Sequence, residues 1–570
     1  MTENTTTVLP LVVGITGHRN IREQDKEILA SKISEFFDEL RSLYPHTPLM
    51  LLSPFAEGAD RLAAEVAFTK GIEVIAPLPM QSELYENDFQ TTESLQEFQS
   101  MTKRAKYTFE LPILAGSSYE SISNYGTARD KQYALVGSYI ARHCQILLAL
   151  WDGQPSELVG STAQVVHFKL EGIPYPYIYQ NPLDIVESGA VYHIATPREG
   201  QFGVVSNPFD AQWIYPEGNA DERKKEFNQI FQRIEQFNRD VQEFSSVVNE
   251  RKSISKGYVI PPDTLKRMPY SLTQTLDRYA TADVLAGFFQ TRTLQTLIWL
   301  FILVFIVVSA QVASYVLTGN PYILLTYVLG LAAAYTAYLW AHRGEFEKKY
   351  LDYRALAEGL RIQLFWEIGG ISENIADHYM RKQKGELDWI RNAVIIWSIP
   401  EEGSSSEELM YGSTIEARLK FVGKHWISDQ FNYFRKAAIR DRQKLERFRL
   451  WGNIFFFVGL LLATIETSFD FFLTSNPLTR ITLVIGVAQV IGALLHGYSE
   501  KRLLSEQSRQ YTRMGMLFSN AKNYYEKQVA DKQHDAAQSL IMELGREALV
   551  ENGDWVLLHR ERPMEVPKAG

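Results

Sequence analysis

The chain has 570 residues, one cysteine and a net charge of −9. The acidic balance argues against nucleic acid as a main partner, because phosphate backbones are held by an excess of Lys and Arg. The single cysteine, Cys144, excludes an intramolecular disulfide framework and any cysteine-rich zinc site, and the length leaves room for two to four domains.

Residues 1–200 predict alternating strands and helices. The apolar run 8–15 is short enough for a buried parallel strand; it ends in Gly14-Ile15-Thr16-Gly17-His18-Arg19, and an amphipathic helix follows over 25–43. A second strand, 49–53, leads through Glu57-Gly58-Ala59-Asp60-Arg61 into a helix at 62–70. A third strand spans 73–77 and a polar stretch runs to about 103. Cys144 lies in an apolar run and is expected to fill buried space. The strand 146–151 runs into Asp152-Gly153, and Gly160-Ser161-Thr162 opens another helix. Strands alternating with helices imply an α/β, Rossmann-like, doubly wound and mostly parallel sheet.

Three of these strands end in turns rich in Gly, Ser or Thr that start helices. In open parallel sheets the ligand lies beyond the carboxyl ends of the strands. Helix N-termini there offer free N–H groups and partial positive charge, which suit phosphate. The candidate ligand-binding residues are Gly14, Thr16, Gly17, His18 and Arg19, then Ser53, Glu57, Gly58 and Asp60, and finally Asp152, Gly153, Gly160, Ser161 and Thr162. Arg129 and Asp130 lie within four residues of Tyr133 at helical spacing; they either read a ligand base or ribose or form an exposed ion pair. Tyr85 and Asp88 fall in a loop where a lid is expected. A Gly17→Glu substitution is expected to block this site and leave the fold intact. Motifs for zinc proteases, P-loop NTPases, GxSxG hydrolases and kinases are absent from the sequence, so no catalytic or metal-binding residue is assigned.

The stretch 180–220 reads as final strands and a linker, the linker and amphipathic region extending over 201–270. Within 220–251, Phe227, Ile230, Phe231, Ile234 and Phe237 recur at helical spacing. That stripe is expected to pack on the sheet domain or a partner helix.

The remaining chain carries two apolar hairpins, with spans at 294–317 and 321–341 and at 450–472 and 481–498. About 20 apolar residues cross a bilayer as a helix. Residues 435–449 carry seven basic and two acidic side chains directly before the third span. Arg343, Lys348, Lys349 and Arg354 follow the second span, whereas the two short loops between spans hold one basic residue, Arg480. The distribution of Lys and Arg predicts cytoplasmic N- and C-termini. The N-terminus lacks the basic start of a cleavable signal, so the first span is expected to direct membrane targeting. Each copy of an apparent duplication runs amphipathic helix, two spans, long charged helix, over about 272–368 and 425–550; ALAEG at 355–359 and ALVENG at 548–553 are a faint echo between them. Glu466 and Asp470, near the far end of the third span, are candidates for a pore or interface. Gly330 with Ala333 and Ala334, and Gly486 with Ala488, would let helices approach closely.

Taken in order, GITGHR, SPFAEGADRLAAEVA and WDG…GSTAQVV…EGIP resemble the SLOG superfamily, nucleotide-binding Rossmann-like domains related to the cytokinin-activating LOG enzymes and to DprA. The resemblance covers residues 8–200. It implies that Gly14, Thr16, Gly17 and Arg19 form the first phosphate-facing turn, with Glu57, Gly58 and Asp60 in the second and Gly153, Gly160, Ser161 and Thr162 in the last. The LOG signature PGGxGTxxE places Val165 where its glutamate would stand. Valine is neither acid nor base, so the resemblance points to a domain that holds a nucleotide-derived ligand; an N-glycosidase or phosphoribohydrolase using Glu57 or Asp60 is the alternative. The hairpins, in units 271–400 and 425–566, resemble the SLATT family of two-transmembrane effectors. Together they imply a homo-oligomeric effector of a bacterial antiphage system in the inner membrane, whose head senses a nucleotide-derived signal and whose spans form a pore or disrupt the bilayer. A transporter ranks third, because interrupted helices and midplane charge clusters are missing from the spans.

Overall fold

The computed structural model describes residues 7–178, 186–200, 205, 207–317, 320–379, 387–401, 414–472 and 479–561, without the side chains of 469–472, 479 and 480. The chain forms two compact units. One comprises Met1–Val247, Pro269–Asp277 and Glu373–Glu408; the other comprises Val248–Met268, Arg278–Ser372 and Leu409–Gly570.

The first unit is an α/β fold. Its strands are β1 (Leu11–Gly17), β2 (Leu49–Leu52), β3 (Glu73–Leu78), β4 (Tyr107–Glu110), β5 (Ile146–Trp151), β6 (Ala190–Ala195) and β7 (Ala211–Ile214). They lie in the order β4-β3-β2-β1-β5-β6-β7. All neighbours are parallel except β6 and β7. The strands β1, β2 and β5 are apolar on both faces and almost wholly buried, as a sheet covered by helices on both sides requires. The helices following β1, β2 and β3 are α1 (Lys26–Leu43), α2 (Ala59–Thr69), α3 (Ser82–Tyr85) and α4 (Thr92–Arg104). After β4 come α5 (Tyr119–Ser123) and α6 (Thr127–His143), and after β5 comes α7 (Thr162–Glu171). Strand order reverses between β1 and β5, which is where such sheets open a crevice.

The amphipathic stretch folds as α8 (Ala220–Glu243), followed by α9 (Ser245–Val259). Its stripe is buried, Ile234 and Phe237 completely. The Asn238 side chain ties α8 to the start of β1 by accepting from Leu9 N–H at 2.9 Å and donating to Leu9 O at 2.8 Å. Residues expected in the first two-span unit join this layer instead. After α10 (Pro262–Leu265), α11 (Tyr270–Val316), α12 (Pro321–Arg343) and α13 (Phe346–Gly369) comes α14 (Asp388–Trp397). Trp389 and Trp397 of α14 pack 5.9 and 6.1 Å from Phe237 of α8, which explains why 373–408 groups with the sheet.

The second unit is all-helical. After α14 the chain continues through α15 (Ile415–Val422) and a π-helical turn into α16 (Asp429–Phe472), then α17 (Thr479–Lys501), α18 (Leu504–Ala530) and α19 (His534–Arg560). Among the described residues of the chain, four helices are long and apolar enough to cross a membrane. The expected spans fall within α11, α12, α16 and α17, except that the first runs one residue past the end of α11. Trp299, Leu324, Leu450, Trp451, Phe456 and Phe457 are among their exposed side chains, an apolar surface that would suit hydrocarbon. Away from the spans, Trp366 and Trp426 are buried, the latter stacked 5.7 Å from Phe365.

The duplication has a strict backbone register. Helix α12 begins at Pro321 and ends at Arg343, and α17 begins at Thr479 and ends at Lys501, each shifted by 158 positions. Both then break at one left-handed residue, Glu345 (φ 49°) or Leu503 (φ 49°), again 158 apart. The hydrogen bonds around the breaks correspond: Gly344 N–H to Trp340 O and Glu345 N–H to His342 O match Arg502 N–H to Tyr498 O and Leu503 N–H to Glu500 O. The ALAEG and ALVENG echo does not follow this register, because the first lies in α13 and the second in α19.

Small residues set the approach of the apolar helices. A Cβ on Gly492 of α17 would stand 3.0 Å from Gly452 O of α16, and one on Gly486 would stand 2.6 Å from Val312 of α11. Gly330 of α12 meets Val307 of α11 similarly, at 2.7 Å. Glu466 on α16 is half-buried and accepts a hydrogen bond from the Thr482 hydroxyl of α17. The Asp470 side chain lies outside the described residues.

Candidate functional site

At the carboxyl edge of the sheet, the turn after β1 is built around close packing. A Cβ on Gly17 would lie 2.4 Å from Ala59 Cβ and 2.7 Å from Leu150 O. Glycine there lets α2 sit directly on the β1–β5 seam. Gly58 has φ +81°, and a Cβ on it would lie 2.3 Å from Arg19 O and 2.4 Å from His18 O. The two turns therefore interlock, and Ala59 N–H donates to His18 O at 3.1 Å. Gly14 faces away from the crevice: inside β1, it leaves room for Ile140 and Cys144 of α6. Thr16 is buried on β1 beside Ala149 of β5. Cys144 is buried, as its apolar neighbours suggest.

The second turn is held from within. Ser53 is fully buried; its hydroxyl donates to Asp60 O at 3.1 Å and accepts from Phe55 N–H at 3.3 Å. That bond supports Phe55 at φ 57°, a left-handed conformation that a bulky residue adopts only under constraint. Arg61 is buried, donating to Phe55 O at 3.1 Å and pairing with Glu97 at 2.6 Å. Glu57 accepts a hydrogen bond from the Ser94 hydroxyl of α4.

Asp60 opens α2 and is 7% exposed. Desolvation raises its pKa to about 7, against the pull of Arg19, the Ala56 N–H and Arg61. Arg19 is exposed at the rim. Desolvation opposes its charge, but Tyr85, Tyr133, Asp88 and Asp60 outweigh that effect and raise its pKa. Its guanidinium lies over the Tyr133 ring, 5.3 Å from the centroid. Burial, together with Asp60 and Asp88, pushes the Tyr85 phenol up against the opposing effect of Arg19.

Arg129 is buried, so the exposed ion pair considered from the sequence does not form. It pairs with Asp88 at 2.7 Å and donates to Tyr133 Oη at 2.8 Å, Ile122 O at 2.7 Å and Leu84 O at 3.0 Å. The Tyr133 hydroxyl also donates to Asp88. Tyr85 and Asp88, expected in a lid, are instead packed in short helical turns, with the Tyr85 ring 5.2 Å from Phe89 and 5.5 Å from Phe98.

The third turn forms a second polar group. The His18 ring Nε2 accepts from Asp152 N–H at 2.9 Å, which fixes that nitrogen as unprotonated. Desolvation lowers the His18 pKa despite the nearby Asp152 carboxylate. Asp152 Oδ2 also pairs with Arg198 Nε at 3.1 Å. Gly153 has φ +78° and open space around its Cβ position. Gly160 (φ +77°) brings its loop against α6, with a Cβ there only 3.0 Å from Tyr133 Cβ. Ser161 caps α7 by accepting from Gln164 N–H at 3.3 Å, and Gln164 accepts from Gly160 N–H at 2.7 Å. Thr162 is the first residue of α7 and is half-exposed. Val165 is buried in the space left by Gly137 of α6.

Several main-chain donors expected to face a ligand are thus already used. What gathers at the crevice is a side-chain group, Arg19, Asp60, Tyr85, Asp88, Arg129 and Tyr133, beside the His18–Asp152–Arg198 group. Arg198 was not singled out from the sequence; it follows β6, a fourth strand end whose loop pairs with the first through Ile21. A cavity of about 110 Å³ lies among Cys144, Gln145, Lys169 and Gly189, at the amino ends of β5 and β6. Lys169 there donates to Ala141 O and Cys144 O, and Arg142 pairs with Asp377. Neither a family model nor a curated protein matches the sequence.

Proposed function

We propose that this protein is a membrane-embedded effector of a bacterial antiphage system, with a SLOG-like cytoplasmic head that binds a nucleotide-derived signal and SLATT-like spans that open or disrupt the inner membrane. The observation that carries the reading is the exposed Arg19 guanidinium at the β1–β5 switch point, in a chain with four helices long and apolar enough to cross a bilayer. A guanidinium with an exposed edge at that position suits a phosphate. Ligand binding shifts the membrane part only by its differential affinity for two arrangements of the chain, so copies of the chain must assemble differently with and without it. The test begins with full-length protein in nanodiscs and mass spectrometry of the small molecule it retains. The expected result is a phosphate-bearing, nucleotide-derived compound held by wild type and not by Arg19→Glu, which also triggers dye release from vesicles carrying the wild type. An unliganded wild type, or leakage indifferent to the compound, would count against the reading.

One observation favours the enzymatic alternative. A buried carboxyl with a pKa of about 7, such as Asp60, is suited to give and take protons near neutrality. Chromatographic detection of free base from nucleotides incubated with the full chain, lost in Asp60→Asn, would make the head a nucleotide-cleaving enzyme. Binding without base release would leave it a sensor.

A further inference from the structure

From the α5–α6 corner we infer that Tyr125 is a stacking platform for the planar base of the ligand, and therefore that the ligand is an intact nucleotide with a heteroaromatic ring. The inference deepens the reading of the crevice as a nucleotide-derived ligand site and rests on it. Tyr125 is 75% exposed, and what sets it apart is that its ring is contacted from two sides. Its hydroxyl reaches Asn87 O at 3.4 Å, and the Arg129 guanidinium lies 5.4 Å from its centroid. Arg129 is itself fixed by Asp88, Tyr133, Ile122 O and Leu84 O. One face of the ring thus rests on an immobile cation, and the rest of it is open. Gly126, at φ +149° with open space about its Cβ position, makes the turn that sets the ring there.

The platform is continuous with the phosphate end of the crevice. Arg129 lies 5.9 Å from the Tyr133 centroid, and Arg19 lies 5.3 Å from that same ring. Cations and rings therefore alternate from Arg19 at the end of β1 to Tyr125 at the rim. Leu158 and Val159, 75% and 38% exposed, sit in the loop that meets α6 at Gly160. A molecule anionic at one end and flat and aromatic at the other matches this line. Stacking tolerates any base, so purines should bind without strong discrimination between them.

The test is calorimetric titration of the full-length protein in nanodiscs with AMP, GMP and ribose 5-phosphate. Wild type should bind both nucleotides more tightly than the sugar phosphate. Tyr125→Ala should weaken AMP and GMP by roughly ten- to a hundredfold and leave ribose 5-phosphate unchanged, while Tyr125→Trp should retain nucleotide binding. The ring is exposed, so an unchanged melting temperature of the alanine variant is the control for folding. Equal loss for all three probes, or no loss for the nucleotides, overturns the platform. Ribose 5-phosphate binding with no gain from a base also overturns it but leaves the crevice reading standing. Failure of wild type to bind any of the three removes both.

Discussion

Gly17 and Arg19 stand two residues apart and answer to different constraints. The space a Gly17 side chain would need is held by Ala59 and the Leu150 carbonyl, so the Gly17→Glu variant expected to leave the fold intact instead breaks the β1–α2 contact. Even Gly17→Ala should cost the head about 1–3 kcal/mol, read as a lower thermal midpoint. Arg19→Glu exchanges a cation stabilised by Asp60 and Asp88 for a like charge beside them, so it should lower that midpoint too, by about 1–3 kcal/mol, and should abolish binding of the proposed ligand. Asp60 carries a pH signature. Its folded pKa of about 7 lies above the ordinary 3.8, so the folded chain holds the proton more tightly than the unfolded one. The stability this contributes is complete below pH 4 and is lost as pH rises to about 7. Asp60→Asn, which cannot ionise, should gain on wild type over that window, by about 4 kcal/mol between pH 4 and 8.5. Parallel melts at pH 4, 6 and 8.5 would show it. At this scale the sequence reveals which residues end a strand but not which way they face. Gly14 and Ser53 belong to the right turns, yet one accommodates α6 and the other holds Phe55.

Elements were legible where a single pattern decides them. The apolar runs of β1, β2 and β5, the stripe of α8 and the spans needed only burial on both faces, on one face, or in hydrocarbon. β4 was missed for a physical reason: it has four residues, none fully buried, and edge strands carry little hydrophobic signal; the other edge strand, β7, equally short and unburied, was covered only by the unspecific reading of 180–220 as final strands and a linker. α14 shows a different limit. Its apolar face is plain in Trp389, Ile390 and Val394, but periodicity cannot name the layer that covers it, and the cover proved to be α8. Within the second hairpin, α16 and α17 approach through Gly452 and Gly492. Gly492→Val should drive them apart and lower the melting temperature of the detergent-purified protein, by about 1–3 kcal/mol in stability. Substitution of exposed Leu461 by valine should leave it almost unchanged.

At the scale of the whole chain, four apolar helices and the asymmetry of Lys and Arg make a joint prediction. The protein should remain in the pellet after an alkaline carbonate wash. Protease added to inside-out vesicles should digest the sheet unit, whereas right-side-out vesicles should protect it. Digestion from the outer side would reverse the proposed orientation. The side-chain group at the crevice was not legible in the same way: an exposed guanidinium, a buried acid and an uncovered phenol come together from turns far apart in sequence, and only folding makes them neighbours.

The shift of 158 positions has a numerical consequence for any ring of these chains. Every subunit contributes a pair of hairpins, so the tally around the ring is always even, and true rotational equivalence relates every second hairpin only. Glu466 maps onto Val308 under that shift. Carboxylate and aliphatic would therefore alternate around the circumference, giving half as many charged stations as hairpins.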